Sequence, residues 1–538
     1  MSATLEEQLE RAATRDLKRL VPFDFRRALR DLVTEDTGDE QRWLARCVIA
    51  HYGPDLMSTA AGRKAILGSL SEEELRILAA DLLGRVYSHP DDNATALSRL
   101  SWSSRSPLVD RLGPRAWLPA GYLPSCEEPP PALEQIEPKG ALQPLLPHQS
   151  ELFDELSAVC YGQTEKALLQ MPTGSGKTRT VIEAIAYAFG DGALSRDTIL
   201  WLAPAEELCE QAAKTFRHLW EHVGKQPIGI VRYWGGYDPP AHAARGNIVF
   251  ATVQKVAARL KSGGEMVSSL RGNVRLVVFD EAHRALAPTF AEVLDKLVSE
   301  VTSVLGISAT PGRSLEQHSD NVALAKLFGG RLISHRNGED LILRLQRDGV
   351  LPRVHHETLE SGWVGEQPNV KYPNQGQSEV PRRLLTTLGG DRVRNLRIAK
   401  TIENHVFAGR PTILFACSVQ HARLLAAALA LRGIRAEAVD SAMPTVARRD
   451  AINRFRVGES DVLTNFGVLS TGFDAPRART VVLSRPTTSV VLYSQMIGRV
   501  LRGPKMGGGE QAWVVDVDDN IRRFGGPFAN LQAFSDFW

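Results

Sequence analysis

The sequence predicts an α/β protein in which two parallel-sheet lobes follow an all-helical N-terminal domain. In the first lobe, short apolar runs suited to buried strands alternate with helical patterns, in the order TILWLAPA, NIVFATV, VRLVVFDEAH and SVLGISAT. This alternation is typical of a parallel sheet that is covered by helices on both faces. It begins again further along with PTILFACS, DVLTNFGVL, TVVLSRP and QAWVVDV, which predicts a second lobe of similar build.

The predicted helical domain covers residues 1–120. Apolar side chains recur at helical spacing near its start, at Leu5, Leu9, Ala13, Leu17 and Leu20. Ser71 and Glu74 have the spacing of a capping box, which marks the start of a helix over LRILAADLLGRV.

A proline-rich connector is predicted for residues 121–141. Seven prolines lie between Pro124 and Pro147, and proline fixes the backbone and removes a hydrogen-bond donor. The connector is therefore expected to be extended and to contain no helix or strand. The remaining boundaries predict a first lobe, a less regular segment between the lobes and a second lobe, over residues 142–335, 336–395 and 396–538.

The composition is that of an ordinary globular protein, with 43% hydrophobic and 23% charged residues in a chain of 538. The formal net charge of +2 excludes a wholly basic surface, so any nucleic-acid site must be a local groove. No apolar run has the length of a membrane-spanning helix, and the N-terminus is charged and helical rather than a secretory signal. These features predict a cytoplasmic protein without a membrane partner.

The cysteines predict neither a metal site nor a disulfide framework. None of them forms a C-x-x-C pair, and no histidine cluster accompanies them. They are expected to be small buried apolar side chains at Cys47, Cys126, Cys160, Cys209 and Cys417.

The stretch QMPTGSGKT predicts a phosphate-binding loop between a strand and a helix. In such a loop, glycines let backbone N–H groups approach the phosphates, a lysine reaches the β- and γ-phosphates, and a hydroxyl binds Mg²⁺. The candidate residues are Thr173, Gly174, Ser175, Gly176, Lys177 and Thr178. Met171 stands where the full pattern has its first glycine, a position that mainly shapes the entry turn. The alternative, a glycine-rich surface turn, is disfavoured by the Lys–Thr ending and the flanking elements.

A pair of carboxylates, Asp280 and Glu281, ends the apolar run LVVFDEAH. A carboxylate at a strand end beside a phosphate loop is suited to bind Mg²⁺, so Thr178 and Asp280 are the predicted ligands. The second carboxylate is a candidate base for an attacking water. An Asp–Glu pair by itself would indicate only a solvated strand end. Together with the loop, it predicts a site that uses ATP and Mg²⁺.

Further motifs in this order resemble those of the superfamily 2 DEAD/DEAH-box helicases over residues 142–520. LPHQ resembles the glutamine motif that recognises adenine, MPTGSGKT resembles motif I, and DEAH resembles motif II. LAPAEELCEQ and ATVQK resemble motifs Ia and Ib, and SAT resembles motif III. In the second lobe, ILFACSVQHA resembles motif IV, VLSTGFDAP resembles motif V and QMIGRVLRG resembles motif VI. The second-lobe motifs are most similar to those of RadD-like repair helicases and of restriction-system motor subunits. The resemblance implies two RecA-like lobes with ATP bound between them.

The resemblance also implies a catalytic set drawn from both lobes. Arg499 and Arg502 would reach the γ-phosphate from the second lobe as arginine fingers, and a spacing of one helical turn would let both face it. The first lobe would contribute Lys177, Asp280 and Glu281. Additional contacts to the nucleotide are expected from Gln149, Gly472 and Asp474.

Other residues are expected to link the nucleotide to a nucleic-acid strand. The resemblance implies coupling roles for His283, Ser308, Thr310 and Gln495. Contacts with the strand itself are expected at Thr252, Gln254, Ser418 and Thr471. Each of these four could equally be a loop hydroxyl or amide that caps its own backbone.

Two readings are open for the N-terminal domain. The stretch RLSWSSRSPLVDRLGPRAW interleaves Trp102 and Trp117 with four arginines, a mixture that can bind nucleic acid by charge and stacking. Alternatively, it is a solvated face with buried tryptophans. Because the helicase motifs are complete without residues 1–120, this domain is expected to be dispensable for folding of the motor.

The function predicted from these observations is that of an ATP-dependent DNA helicase or translocase in DNA repair or anti-phage defence. DNA is favoured over RNA as the nucleic-acid partner because the second lobe resembles repair and restriction motors. One alternative is an RNA helicase. Another is an ATP-gated assembly subunit, which would dock a protein partner through the N-terminal domain or the aromatic residues Phe534, Phe537 and Trp538.

Overall fold

The computed structural model describes residues 4–33, 39–124, 130–137, 144–190, 192, 194, 197–312, 318–335, 338–363, 380–469, 475–487, 489–519 and 537–538. Within this part of the chain, two mainly parallel β-sheets form two RecA-like lobes, and a set of helices precedes them. The predicted fold class is confirmed. No helix in the described ranges is both long and apolar enough to cross a membrane.

The N-terminal domain is helical in the ranges described before residue 125. Its α-helices are α1 (Leu5–Leu9), α2 (Thr14–Leu20), α3 (Phe23–Leu32), α4 (Glu40–Tyr52), α5 (Ala60–Leu67), α6 (Glu72–Leu83), α7 (Pro90–Leu97) and α8 (Pro107–Leu112). The capping box at the start of α6 is present, since Ser71 Oγ accepts from the Glu74 backbone N–H at 3.3 Å and Glu74 Oε2 accepts from the Ser71 N–H at 3.0 Å. The apolar spacing near the chain start is divided between α1 and α2, which leaves Ala13 exposed between them.

The first lobe contains an eight-stranded sheet in the order β1-β4-β5-β3-β6-β7-β2-β8. Its strands are β1 (Leu133–Ile136), β2 (Lys166–Gln170), β3 (Thr198–Ala203), β4 (Ile228–Tyr233), β5 (Ile248–Thr252), β6 (Val274–Asp280), β7 (Ser303–Ser308) and β8 (Leu332–Ile333). The helices are α9 (Pro147–Ser150), α10 (Phe153–Cys160), α11 (Lys177–Gly190), α12 (Glu206–Val223), α13 (Val253–Ser262), α14 (Glu265–Leu270), α15 (Pro288–Leu297) and α16 (His318–Leu327). Successive strand residues point to opposite faces, so Leu200 and Trp201 enter two different apolar cores.

The connector prediction is wrong for residues 133–136, which form β1 and pair antiparallel with β4. Glu134 explains why this segment is ordered. Its carboxylate accepts from Nη1 of the fully buried Arg232 at 2.9 Å, and it also pairs with Arg217. Arg232 N donates to the Ala132 carbonyl oxygen at 2.8 Å, so the same residue binds the connector through both its backbone and its side chain.

The second lobe contains a six-stranded parallel sheet in the order β11-β12-β10-β13-β14-β9. Its strands are β9 (Arg353–Glu360), β10 (Thr412–Phe415), β11 (Ala436–Asp440), β12 (Val462–Phe466), β13 (Thr480–Leu483) and β14 (Gln511–Asp518). Its helices are α17 (Gly338–Arg347), α18 (Arg382–Gly390), α19 (Arg392–Phe407), α20 (Val419–Leu431), α21 (Thr445–Val457) and α22 (Val490–Ile497). The predicted boundary at residue 396 falls inside α19. Much of the segment 336–395 also belongs to this lobe, because β9 pairs with β14 along its length.

The N-terminal domain packs on the second lobe. Helices α3 and α4 lie against α19 and α20, and side chains of both parts form one apolar cluster. Two arginines of the second lobe also bind the C-terminal carbonyls of α3. Arg432 Nη1 donates to the Leu32 oxygen at 3.1 Å, and Arg392 Nε donates to the Asp31 oxygen at 3.3 Å. These donors satisfy carbonyls that a helix end leaves without intrahelical partners.

The shared cluster argues against the expectation that residues 1–120 are dispensable for folding. A chain that begins at residue 130, and so keeps β1 and its pairing with β4, would expose the apolar surface of α19 and α20 that α3 and α4 cover. We predict that this truncated chain is insoluble or unfolds at a clearly lower temperature than the full chain. Trp43 belongs to the same cluster, and its side chain is 2% exposed. Trp43→Ala is expected to lower the free energy of unfolding by about 3–5 kcal/mol.

Soluble yield and calorimetric melting of the two variants and the full chain measure this effect. A truncated chain with the melting temperature of the full protein would show that the cluster is two independent cores.

Candidate nucleotide site between the lobes

The predicted phosphate loop lies between the end of β2 and the start of α11, as the motif requires. Gly174 and Gly176 have φ values of +87° and +90°, in the left-handed region that favours glycine. Ser175 is buried, and its hydroxyl donates to the Pro172 oxygen at 2.7 Å, which fixes the turn. The Met171 side chain is fully buried in the core of the first lobe. It therefore points away from the loop, which explains how a methionine can replace the usual glycine there.

Lys177 begins α11 and faces the carboxylates of β6. Its Nζ donates to the carbonyl oxygens of Met171 and Pro172, both at 3.3 Å. Burial lowers the pKa of Lys177 to about 8, the charges of Glu281 and Asp280 oppose this shift, and those of Arg499 and Arg502 add to it. The groups predicted to hold and cleave a phosphate chain are therefore close enough to perturb one another.

Asp280 is the last residue of β6, and Glu281 follows it. Glu281 has a φ of 55°, and among the described residues other than glycine it alone has a positive φ. Such strain at a strand end is common at functional sites. The Glu281 N–H donates to Asp280 Oδ1 at 3.0 Å. Burial, and then the charge of Glu281, raises the pKa of Asp280 to about 7, while Lys177 opposes this.

The structure brings the predicted coupling residues together around Glu281. His283 Nδ1 lies 3.4 Å from Glu281 Oε2 and 3.4 Å from Ser308 Oγ. The Ser308 hydroxyl in turn donates to the Thr310 oxygen at 2.7 Å and accepts from the Thr310 N–H at 3.1 Å. From the second lobe, Gln495 Nε2 lies 3.5 Å from Glu281 Oε2.

The two predicted arginine fingers follow α22 rather than lying on it. The helix ends at Ile497, so the expectation that one helical turn relates Arg499 to Arg502 is wrong. The chain instead turns beneath the phosphate loop, and a methyl group on Gly498 would lie 2.2 Å from Thr173 Cγ2. Arg499 Nε donates to the Gln495 oxygen at 3.2 Å, which ties this turn to α22.

Gln149 is fully buried against the phosphate loop. Its Oε1 accepts from the Leu146 N–H at 3.0 Å, and its Nε2 lies 3.5 Å from the oxygens of Ser175 and Gly176. The neighbouring His148 Nε2 lies 2.9 Å from the Ser175 oxygen. In this arrangement the amide of Gln149 supports the loop together with His148, whose role no sequence pattern indicates.

The predicted strand-contact residues have different environments. Thr252 ends β5 and is buried, whereas Gln254 is exposed on α13. Ser418 caps α20, because its hydroxyl accepts a hydrogen bond from the His421 N–H at 3.1 Å. This is the alternative role, in which the side chain caps the backbone. Thr471, Gly472 and Asp474 lie outside the described residues.

The basic stretch of the N-terminal domain is partly neutralised. Arg111 pairs with Asp81 at 2.9 Å, and Arg115 pairs with Glu74. The Trp102 Nε1–H donates to the Tyr122 oxygen at 3.0 Å, and both Trp102 and Trp117 pack against the domain core. These contacts favour the reading of a solvated face with packed tryptophans over a stacking surface for nucleic acid.

The end of the chain is packed against the first lobe. Trp538 Nε1 donates to the Pro311 oxygen at 2.9 Å, and its ring lies 6.5 Å from that of Phe328. Phe537 contacts His318 with ring centroids 5.1 Å apart. Phe534 lies outside the described residues. These contacts reduce the apolar surface that the aromatic end could offer to a partner.

The donor set of the site fits Mg²⁺. The Thr178 hydroxyl and the Asp280 carboxylate provide hard oxygen ligands, and Mg²⁺ usually uses one or two carboxylates together with substrate phosphates and water. In the described part of the chain, no three His, Cys, Asp or Glu side chains cluster as a metal site. Four cysteines, Cys47, Cys160, Cys209 and Cys417, are buried and free, as predicted, and Cys126 lies outside the described residues.

Two family models match the lobes that form this cleft. The model described as "Type III restriction enzyme, res subunit" matches residues 143–313, and "Helicase conserved C-terminal domain" matches residues 396–504. The chain belongs to the superfamily 2 helicases. Within that superfamily it is related to the motors of restriction systems.

Individual relatives of this helicase are distant. It is 26% identical over 348 residues to IRC3 of Saccharomyces cerevisiae, assigned as an ATP-dependent helicase, across 63% of this chain and 46% of that protein. It is 27% identical over 347 residues to the ATP-dependent RNA helicase dbp8 of Aspergillus terreus, across 62% of this chain and 60% of that protein. The chain thus spans about half to three fifths of the length of these curated relatives.

A solved structure shares the fold of this helicase. It is a fragment assigned to an HsdR subunit of a type I restriction enzyme from Vibrio vulnificus YJ016. The match has a TM-score of 0.50 and 22% identity, and it covers 71% of this chain and 66% of that chain.

Gly174 offers a direct test of how the cleft is assembled. A methyl group there would lie 1.9 Å from the Leu501 oxygen of the second lobe. We predict that Gly174→Ala reduces ATP turnover at least tenfold, because the second lobe can no longer close on the loop. Gly263→Ala is the matched control, since Gly263 has a φ of +73° but nothing within 4 Å of an added methyl group.

Steady-state ATPase rates and melting temperatures of the two variants separate lost closure from backbone strain. Equal losses of activity in Gly174→Ala and Gly263→Ala would contradict this account.

Proposed function

We propose that this protein is a nucleic-acid-dependent ATPase that translocates along DNA or unwinds it. The main support is the contact of Gln495 with Glu281, together with the position of Leu501 over Gly174. Because the site takes residues from both lobes, it is complete only when they meet. A cycle of binding and hydrolysis would therefore move one lobe against the other, which is the requirement for stepping along a strand.

Each polar residue of the cleft has a role that fits its position. The backbone of Gly174–Gly176 and the Lys177 ammonium would hold the phosphates, and Thr178 and Asp280 would hold Mg²⁺. When bound, Mg²⁺ supplies charge neutralisation at the phosphates. Glu281 would orient and deprotonate the attacking water. His283 and Gln495 would hold the Glu281 carboxylate in place for this role. Arg499 and Arg502 would stabilise negative charge that develops in the transition state.

A second bridge between the lobes lies on the side where a nucleic-acid strand is expected. Arg448 Nη2 on α21 lies 2.7 Å from Glu207 Oε1 on α12. Glu207 belongs to LAPAEELCEQ, which begins at the end of β3, and ATVQK begins at the end of the adjacent β5. Because carboxyl ends of parallel strands meet at one sheet edge, these motifs lie side by side. Closure would thus set the spacing of the strand-facing surfaces of both lobes.

DNA is the proposed substrate because the first-lobe family model is a restriction-enzyme subunit. The same similarity supports a role in DNA repair or anti-phage defence. A second candidate is an RNA helicase, which the similarity to the RNA helicase dbp8 favours. A third is an ATP-gated assembly subunit, which the docking of the N-terminal domain on the second lobe would suit.

The deciding experiment measures ATP turnover with single-stranded DNA, duplex DNA, forked DNA and RNA in parallel. We expect DNA to stimulate turnover strongly. Glu281→Gln is expected to nearly abolish turnover while it retains nucleotide binding, because it removes the base and leaves the phosphate loop intact. Stimulation by RNA alone would favour the RNA helicase, and turnover that no nucleic acid stimulates would favour the assembly subunit.

The arginine fingers are testable separately from nucleotide binding. Arg499→Ala and Arg502→Ala are each predicted to lower turnover by about 10³, with much smaller effects on nucleotide affinity. Lys505→Ala is the control, since Lys505 is an exposed basic residue of the same loop. If ATP turnover falls only a few fold in both arginine variants, the two arginines are basic surface residues and not arginine fingers.

A further inference from the structure

The chain crosses from the first lobe to the second next to the phosphate loop. His335 follows β8 in the first lobe, and α17 begins three residues later, at Gly338. Leu341 and Leu345 of α17 are buried with the apolar core of the second lobe, so this helix moves with that lobe. The crossing point therefore lies between His335 and α17.

One carboxylate contacts both sides of this crossing. Glu151 follows α9 in the first lobe and accepts two hydrogen bonds from Arg344 of α17, to Oε1 from Nη1 at 2.7 Å and to Oε2 from Nη2 at 2.9 Å. Its Oε2 also lies 3.1 Å from Nδ1 of His335, whose side chain is 3% exposed. A two-pronged pair of this kind fixes orientation as well as distance.

The same contacts extend to the phosphate loop. The His335 ring lies 6.3 Å from the His148 ring, and His148 Nε2 lies 2.9 Å from the Ser175 oxygen. Leu146, which precedes both His148 and Gln149, packs against the apolar core of the second lobe. A short series of contacts thus joins α17, His335 and the backbone of the nucleotide loop.

We propose that Glu151 and Arg344 are positioning residues. Their ion pair, the hinge contact, holds α17 of the second lobe against the first lobe in the closed geometry and so raises the affinity for ATP. The proposal rests on the proposed ATPase function. It adds residues outside every helicase-like motif and assigns them to the nucleotide-binding step rather than to the chemistry. Opening the pair would let α17 rotate away from Glu151 and would release the support of His148 on the loop.

The kinetic test compares Glu151→Gln, Arg344→Gln and the double variant. Each is expected to raise the KM for ATP about three- to fivefold, as for loss of a partly exposed ion pair, and to leave kcat within about twofold. The double variant should be no worse than Glu151→Gln, because that change already removes the carboxylate that Arg344 and His335 both contact. Arg344→Lys should restore part of the affinity, since it keeps the charge and loses the two-pronged geometry.

The matched control is Glu155→Gln. Glu155 and Arg331 form an ion pair of similar exposure at 3.8 Å, but both belong to the first lobe. We expect the KM for ATP of Glu155→Gln to equal that of the parent protein. An unchanged KM in Glu151→Gln and Arg344→Gln, additive effects in the double variant, or an equal effect in Glu155→Gln would overturn the proposal.

Hydrogen exchange of the protein without nucleotide tests the hinge contact independently of ATPase activity. In Glu151→Gln and Arg344→Gln, the amides of α17 and of residues 174–176 should exchange faster, while those of α20 should not change. If turnover were absent in every variant and in the parent, the proposed function would fail, and this exchange pattern would still decide on the hinge contact. Unchanged exchange in both variants would refute it.

Discussion

The close approach of the second lobe to Gly174 is the constraint on which the site depends. The Leu501 carbonyl lies where any side chain at Gly174 would have to be, so the phosphate loop and the turn after α22 fit only with glycine between them. This contact places Arg499, Arg502 and Gln495 beside Lys177 and Glu281. The residues proposed to act in catalysis therefore come from both lobes, and neither lobe holds all of them.

The position of the N-terminal domain determines what moves during closure. Because its helices share an apolar core with α19 and α20, the domain and the second lobe form one unit. The connector after it is fixed to the other lobe, through β1 and the buried Arg232. The N-terminal segment thus contacts both moving parts. A ligand bound to the domain would therefore act on the lobe that carries Arg499 and Arg502, the proposed arginine fingers.

Local motifs were predictable from the sequence, and long-range pairings were not. The phosphate loop, the strand-end carboxylates and the Ser71 capping box depend on residues within a few positions of one another. By contrast, β1 was missed because its pairing with β4 depends on a buried arginine about a hundred residues away. The end of α22 before Arg499 was missed because contact with the phosphate loop overrides helical continuation. The pair Arg448–Glu207 joins residues 241 positions apart, and no local pattern indicates it.

The most direct test of the account is the distance between the lobes in solution. Spin labels can be placed at Val301 of the first lobe and Val457 of the second, both exposed, after Cys126 is replaced by serine. The other four cysteines are buried and should not take up label. We expect a broad distance distribution in the free protein that narrows with a non-hydrolysable ATP analogue and single-stranded DNA. A distance distribution that neither ligand changes would contradict a site assembled by closure of the lobes.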